Sequence, residues 1–286
     1  MMSDAATGTA SDENDEGVVS RVRLRYADIA VKGSPCCGPQ PPAAAGCCTE
    51  TSAISEGVGY DSLDLASVPK EADLGLGCGA PIGYLALRAG ETVLDLGSGP
   101  GLDALLAARQ VGATGRVIGV DMTPEMLERA RVTAARAGAS NVDFREGRLD
   151  RLPVESGSVD AVTSNCVINL VPDKAAVFAE IARVLKPGGR AVVSDIVLER
   201  PLPEAVAKDV LAWCGCVAGA SDRREYLAMI AAAGLSRIEV LKDDDYLASL
   251  SEIAPAEAEA LFVAWGVPRD ALVDVVHSMT WRATRP

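Results

Sequence analysis

Histidine is nearly missing from this chain: of 286 residues only His277 carries an imidazole. One histidine close to the C-terminus leaves no material for a histidine-based triad or a histidine-rich metal site. Basic side chains are also scarce, 27 Lys and Arg against 40 Asp and Glu, giving a formal net charge of -13. Nucleic-acid binding depends on cations that neutralise phosphates, so that class of partner is excluded and small-molecule chemistry is favoured. Long apolar runs are lacking as well. The longest, Val210 to Ala220, falls far short of the roughly 18 to 20 residues that cross a bilayer, so no membrane partner is expected. The first twenty residues have no basic stretch followed by an apolar one, so a secretory leader is not expected either. A cytoplasmic, reducing setting with free thiols follows. The chain is long enough to bury a real core without disulfide staples.

Residues 1 to about 17 are small, polar and acidic and read as disordered, and Val18 to Ala30 has helical periodicity. Residues 33 to 57 read as a loop rich in Gly, Pro and Cys that no regular element accommodates, with the doublets Cys36/Cys37 and Cys47/Cys48 as its only order. From Glu91 onward short apolar runs alternate with helical stretches. Strands are expected at Thr92 to Leu96, Arg116 to Asp121, Val142 to Gly147, Val159 to Val167 and Arg190 to Leu198. The helix after the second strand opens with Thr123 as N-cap and Pro124 at N1, and Gly138 stops it. Such alternation implies right-handed βαβ units, hence an α/β, doubly wound, mostly parallel sheet covered on both faces. A helical insertion over 203–234, its second helix capped by Ser221, then Arg237 to Leu241, a helix near Ala254 to Trp265 and an alternating run near Val275 to Arg282 complete the pattern. The expected division is an acidic tail and Cys-rich arm over 1–57, a catalytic domain over 58–241 and an appendage completing the sheet over 242–286.

"VLDLGSGPGLD" puts Gly97, Gly99 and Gly101, with Ser98 between them, in the turn from the first strand to the first helix of this pattern. Ligands bind at that carboxyl edge of a doubly wound sheet, where glycines let the backbone approach and helix amides lie open. The spacing is GxGxG rather than GxGxxG, and Asp95 stands two residues before the first glycine. That carboxylate suits a ligand with a cationic amino-acid end and repels a diphosphate. Asp121 ends the second strand, followed by Met122, where an acid accepts hydrogen bonds from both hydroxyls of an adenosine ribose. Two carboxylates and no phosphate-clamping cation point to S-adenosyl-L-methionine. Leu149 and Asp150, after the third strand, are expected to form the wall and the amine acceptor of an adenine pocket, and Asn165 ends the fourth strand facing the same crevice.

Cys166 follows Asn165, where a methyltransferase presents its substrate. A single cysteine in a strand is ordinarily a small buried hydrophobe, but this one stands beside the cleft. Cys78, in "GLGCG", has glycines for neighbours and no packing to fill, and Cys216, in "CGCVAGA", belongs to the insertion that roofs the cleft. Three thiols with no histidine and no CxxC pair do not make a tetrahedral zinc site. They suit a soft, three-coordinate centre such as trivalent arsenic, whose lone pair occupies the fourth position.

"ADLGLGCGAP", "ETVLDLGSGPGLDALLAARQVG", "GRVIGVDMTPEML", "SNCVINLVPDKAAVFAEIARVLKPGGR" and "CVAGA" together closely resemble the arsenite S-adenosylmethionine methyltransferases, over about Val18 to Leu241. The glycine loop alone is shared with quinone-biosynthesis methyltransferases; "SNCVINL" and "GLGCG" are specific. The resemblance implies a seven-stranded sheet of the class I methyltransferase type, with a Cys-rich N-terminal arm and a helical insertion and C-terminal cap over the cleft. It implies arsenic bound by Cys78, Cys166 and Cys216, and an N-terminal cysteine in a disulfide relay, for which Cys48 matches by spacing, with Cys47 as the alternative. The implied partners are arsenite and methylated arsenicals as thiol conjugates, with thioredoxin or glutathione as reductant. Cys214 is extra to the motif. A quinone or other small-molecule methyltransferase, and a metalloid-binding module without turnover, are the competing readings.

Overall fold

Three helices come first in the structure, a computed structural model that describes residues 10–33 and 51–286: α1 (Ala10–Lys32), α2 (Thr51–Val58) and α3 (Ser62–Ala66). The sheet then builds through β1 (Thr92–Leu96), α4 (Leu102–Val111), β2 (Arg116–Asp121), α5 (Pro124–Ala137), β3 (Val142–Glu146), β4 (Val159–Asn165), α6 (Lys174–Val184) and β5 (Leu185–Leu198). The insertion contains α7 (Glu204–Ala207), α8 (Val210–Cys214), β6 (Ser221–Asp222) and α9 (Arg223–Ala232). It is followed by β7 (Ser236–Asp245), α10 (Tyr246–Ile253), α11 (Pro255–Trp265) and β8 (Val276–Thr284).

The strand order is β3-β2-β1-β4-β5-β8-β7, with the two-residue β6 pairing parallel to the end of β5. Strands β1 to β5 are parallel; β8 runs antiparallel to both of its neighbours. This is the mostly parallel, doubly wound sheet expected from the alternation. Successive residues of a strand feed opposite faces. Leu94 and Leu96 join Phe178, Ile181, Tyr226 and Trp281 under α6 and α9, whereas Val93 joins Leu105, Leu106 and Leu127 under α4 and α5. Three rings of the first cluster meet edge to face, Phe178 and Tyr226 with centroids 5.1 Å apart.

Several expected boundaries move. Helix α1 begins at Ala10, inside the stretch read as disordered; helix first turns tolerate acids because of the macrodipole, and packing of Val22 and Ile29 holds the rest. The Gly/Pro/Cys stretch ends earlier than 57, because Thr51–Val58 is helical and buries Ile54 and Ser55. "KPGG" is a bulge within β5: Val159 pairs with Leu185 and Ala161 already with Arg190. Asp222, not Ser221, caps α9, accepting from the amides of Arg224 and Glu225. The run expected to end at Leu241 continues as β7 to Asp245, and α10 precedes the helix expected near Ala254. The doublets Cys36/Cys37 and Cys47/Cys48 lie outside the described residues. Among the described residues no helix is long and apolar enough to cross a membrane.

Candidate active site

The glycine turn forms as the sequence suggests. Gly97, Gly99 and Gly101 have φ of 65°, 48° and 98°, a left-handed path that side chains with a Cβ resist. The amides of Gly97 and Ser98 donate to the Val120 carbonyl at 2.8 and 3.0 Å, which ties the turn to the end of β2. Gly99 N–H donates to Asp121 at 3.0 Å, and the other Asp121 oxygen accepts from Thr123 N–H at 2.8 Å. A cleft opens over this turn, lined by Asp95, Gly97, Ser98, Gly99, Asp121 and Met122, and continued by Leu149, Asp150 and Asn165. Gly101 is set back from it as the N-cap of α4, where an added Cβ would meet the Phe144 ring at 3.1 Å.

The cleft is acidic beyond what the sequence suggests. Asp95, Asp103 and Asp121 are all buried around it. Burial pushes each carboxyl above its ordinary range, Asp103 to about 6, and for Asp95 the charges of Asp103 and Asp121 add to it. One oxygen of Asp95 and the Ser98 hydroxyl have no hydrogen-bond partner, although both are buried. Arg148, the cation lining this cleft among the described residues, is committed to Asp150 by two hydrogen bonds and to Glu16 of α1 by another. That arrangement fits a ligand that brings its own positive charge and a diol, as S-adenosylmethionine does, and is hostile to a diphosphate. Tyr60 and Asp103 lack any motif and escape sequence reading: Tyr60 donates to Asp103 at 2.8 Å inside the cleft.

A second cavity lies beside the first, and the thiols of interest line it. Cys78, Cys166 and Cys216 are 3%, 8% and 2% exposed. Glycines let the Cys78 loop lie flat against the strand ends: a Cβ on Gly77 would stand 2.5 Å from the Asn165 amide nitrogen, and one on Gly79 2.6 Å from the Ser194 hydroxyl. Ser278 of β8 donates to the Cys78 carbonyl at 2.5 Å. Cys166 and Cys216 have φ of 57° and 64°, a left-handed conformation that costs an ordinary residue of order 1–3 kcal/mol. The Cys216 thiol donates to the Cys166 carbonyl at 2.7 Å. The Cys166 thiol stands between the other two, its acidity lowered chiefly by a hydrogen bond with Cys216, against which Cys78 works. Burial raises the Cys78 thiol, with Cys166 next in effect. Cys78 and Cys166 are therefore protonated at neutral pH. The three thiols form a hydrogen-bonded row with Cys166 in the middle, and among the described residues no group of three or more His, Cys, Asp or Glu is arranged around a common metal position. Cys214 is buried in the same apolar cluster and lines the same cavity, with Arg25, Asp209 and Arg21 as charged neighbours.

The two cavities share Cys166, Gly77, Leu76, Gly75 and Tyr26. Their common wall is thus the start of the thiol row. No motif marks the C-terminal region, yet Leu250, Glu257 and Trp265 of α10 and α11 line the second cavity. Their helical periodicity is generic, so nothing in the sequence singles them out.

Beneath the thiols is a buried carboxyl that the motifs do not announce. Asp195 of β5 accepts from Asn169 at 2.8 Å, Tyr226 at 3.0 Å and the Ile196 amide at 3.1 Å. Burial outweighs these donors and the nearby Lys174, and holds its pKa up at about 7. The folded state therefore binds a proton that the unfolded chain releases near 3.8, so this group's contribution to stability is lost as pH rises from about 4 through about 7. Asp195→Asn is expected to flatten that decline and to gain on the wild type above pH of about 7, read as melting temperature against pH; parallel curves for the two proteins would contradict it.

A family model described as a methyltransferase domain matches residues 87–234. An arsenite methyltransferase of Halobacterium salinarum is 45% identical over the whole chain, which covers 71% of that protein. Of two further relatives of that description the chain spans 55% and 39% of the length. A demethylmenaquinone methyltransferase of Lactococcus lactis is 41% identical, but over 36% of the chain and 41% of its own length. Among solved structures, CrArsM, an arsenic (III) S-adenosylmethionine methyltransferase from Chlamydomonas reinhardtii, is similar with a TM-score of 0.56 and 30% identity, covering 86% of this chain and 74% of that one.

Proposed function

This chain belongs to the arsenite methyltransferases, a family of S-adenosylmethionine-dependent enzymes, and from that premise we propose that it methylates trivalent arsenic held by the thiolates of Cys78, Cys166 and Cys216. The observation that carries the reading is Cys166, whose residue lines both the acidic cleft and the thiol cavity. When bound, S-adenosylmethionine supplies a methyl group made electrophilic by its sulfonium. The chain's own residues do the rest. Asp95 receives the amino-acid end of the cofactor and Asp121 its ribose hydroxyls, while Leu149 and Asp150 bound the adenine side. Asn165 belongs to the support of the Cys78 loop more than to the cofactor, since its side chain is occupied by Cys78, Gly79 and Tyr60.

Each thiol exchanges its proton for a bond to arsenic, the proton leaving with hydroxide as water or with the thiol that delivered the arsenic. Exchange requires the row to close into a pyramid, a matter of rotating thiols that already touch. The arsenic lone pair is the nucleophile, so no general base is needed, and proximity and orientation carry the rate. This accounts for an active site without histidine. Methyl transfer withdraws two electrons from arsenic, and oxidation of two thiols to a disulfide returns them. Cys48, or Cys47, paired with Cys78 would serve, with thioredoxin or glutathione restoring the thiols. Methylarsenite is the first product and dimethyl species follow, a detoxifying chemistry suited to a reducing cytoplasm.

Incubation with arsenite, S-adenosylmethionine and a dithiol, followed by mass spectrometry of the arsenic products, is expected to yield methylarsenite; unmethylated arsenite alone would overturn the proposal. For Cys48→Ser the first turnover is expected near the wild-type rate and later turnovers about tenfold slower or more. Unimpaired later turnovers would remove Cys48 from the relay.

A further inference from the structure

A carboxamide offers two donor hydrogens and two acceptor lone pairs, and Asn165 uses all four on groups that belong to different sites. Its oxygen accepts from the amides of Cys78 at 3.1 Å and Gly79 at 3.3 Å. Its nitrogen donates to the Gly79 carbonyl at 2.7 Å and to the Tyr60 hydroxyl at 2.9 Å. The two backbone amides fix which end of the carboxamide is oxygen, so the direction of every bond is settled. Tyr60 passes the chain on, donating to Asp103 at 2.8 Å. A continuous series of hydrogen bonds therefore runs from a carboxylate of the acidic cleft to the peptide group that carries the Cys78 thiol.

Both ends of this series are able to respond. Asp103 is buried beside Asp95, and a cationic ligand there relieves the repulsion between them. At the other end, the glycines Gly75, Gly77 and Gly79 flank Cys78 and give its loop backbone freedom that residues with a Cβ would not. Three of the bonds that hold this loop come from the one Asn165 side chain. A ligand that orders the loop, or the Tyr60–Asp103 pair, meets part of the ordering cost for a ligand at the other end.

We propose that Asn165, through Tyr60, is a positioning residue that couples occupancy of the acidic cleft to the placement of the Cys78 thiol, so that the two ligands bind with positive cooperativity. The inference rests on the reading of Cys78, Cys166 and Cys216 as arsenic ligands. Coupling of this kind is reciprocal: each ligand tightens the other by the same factor.

The test uses binding alone, with arsenite and the unreactive S-adenosylhomocysteine as probes, each titrated calorimetrically into full-length protein with and without saturating amounts of the other. In the wild type each probe is expected to tighten the other about fivefold or more. Asn165→Ala and Tyr60→Phe are expected to bring that factor close to one, and Tyr60→Phe to do so while both probes still bind. A wild type that binds both probes independently, or a Tyr60→Phe protein that keeps the full factor, overturns the coupling. Arsenite binding that is absent, or indifferent to Cys78→Ser, overturns the thiol reading instead.

Discussion

Replacing Cys166 by serine is expected to lower arsenite methylation by about a hundredfold or more, roughly 2.7 kcal/mol of transition-state stabilisation, and to leave S-adenosylhomocysteine binding within about twofold of wild type. Serine matches the shape of cysteine and tolerates the same left-handed backbone no worse, so the fold is retained. What it lacks is a soft donor atom: an alcohol oxygen does not compete for arsenic as a thiolate does. Cys166 is the most damaging of the three sites because its thiol contacts both of the others and its residue forms the wall toward the cofactor cleft. Cys216→Ser should follow in the same direction. Full activity in Cys166→Ser would end the thiolate model and return the quinone-type reading, which is indifferent to the cysteines.

The second large effect belongs to the cofactor. Asp121→Ala is expected to weaken S-adenosylhomocysteine about 150-fold or more, the loss of two charge-assisted hydrogen bonds at about 1.5 kcal/mol or more each. It also deprives Gly99 N–H and Thr123 N–H of their acceptor, loosening the turn that the ligand rests on. Arsenite binding measured without cofactor should remain, because Asp121 touches none of the thiols. Binding of the homocysteine compound at wild-type strength would show that the ribose sits elsewhere.

The glycine turn, the acids Asp95 and Asp121 and the alternation of strands with helices were all legible in the sequence because each is a local rule: a turn that needs positive φ, a crevice that needs strands ending there. The meeting of Cys78, Cys166 and Cys216 in one cavity was legible from their places around the cleft, but the expectation that Cys78 has no packing to fill is corrected: all three are buried in one apolar cluster, because the insertion and the C-terminal helices close over them. The role of Asn165 was not, since its four bonds reach residues 86, 87 and 105 positions away and no local pattern encodes them. Tyr60 and Asp103 escaped likewise, as did Asp195, whose neighbours come from a different helix and a loop. Helix α2 was missed because a stretch dominated by Gly, Pro and Cys hid the eight residues at its end that carry Ile54 inward.

One placement in the sheet bears on how the protein is made. Strand β8, residues 276–284, is synthesised after every other strand of the described sheet, yet it sits between β5 and β7. Until it emerges from the ribosome, β5 has an open edge, and the Cys78 carbonyl lacks Ser278, two hundred residues downstream. The nascent polypeptide therefore presents its thiols before the scaffold that spaces them is in place. On the reading developed above, the substrate of the finished enzyme is also a cross-linking reagent for the unfinished one, and arsenite present during translation should lower the yield of native protein more than the same arsenite added once translation is complete.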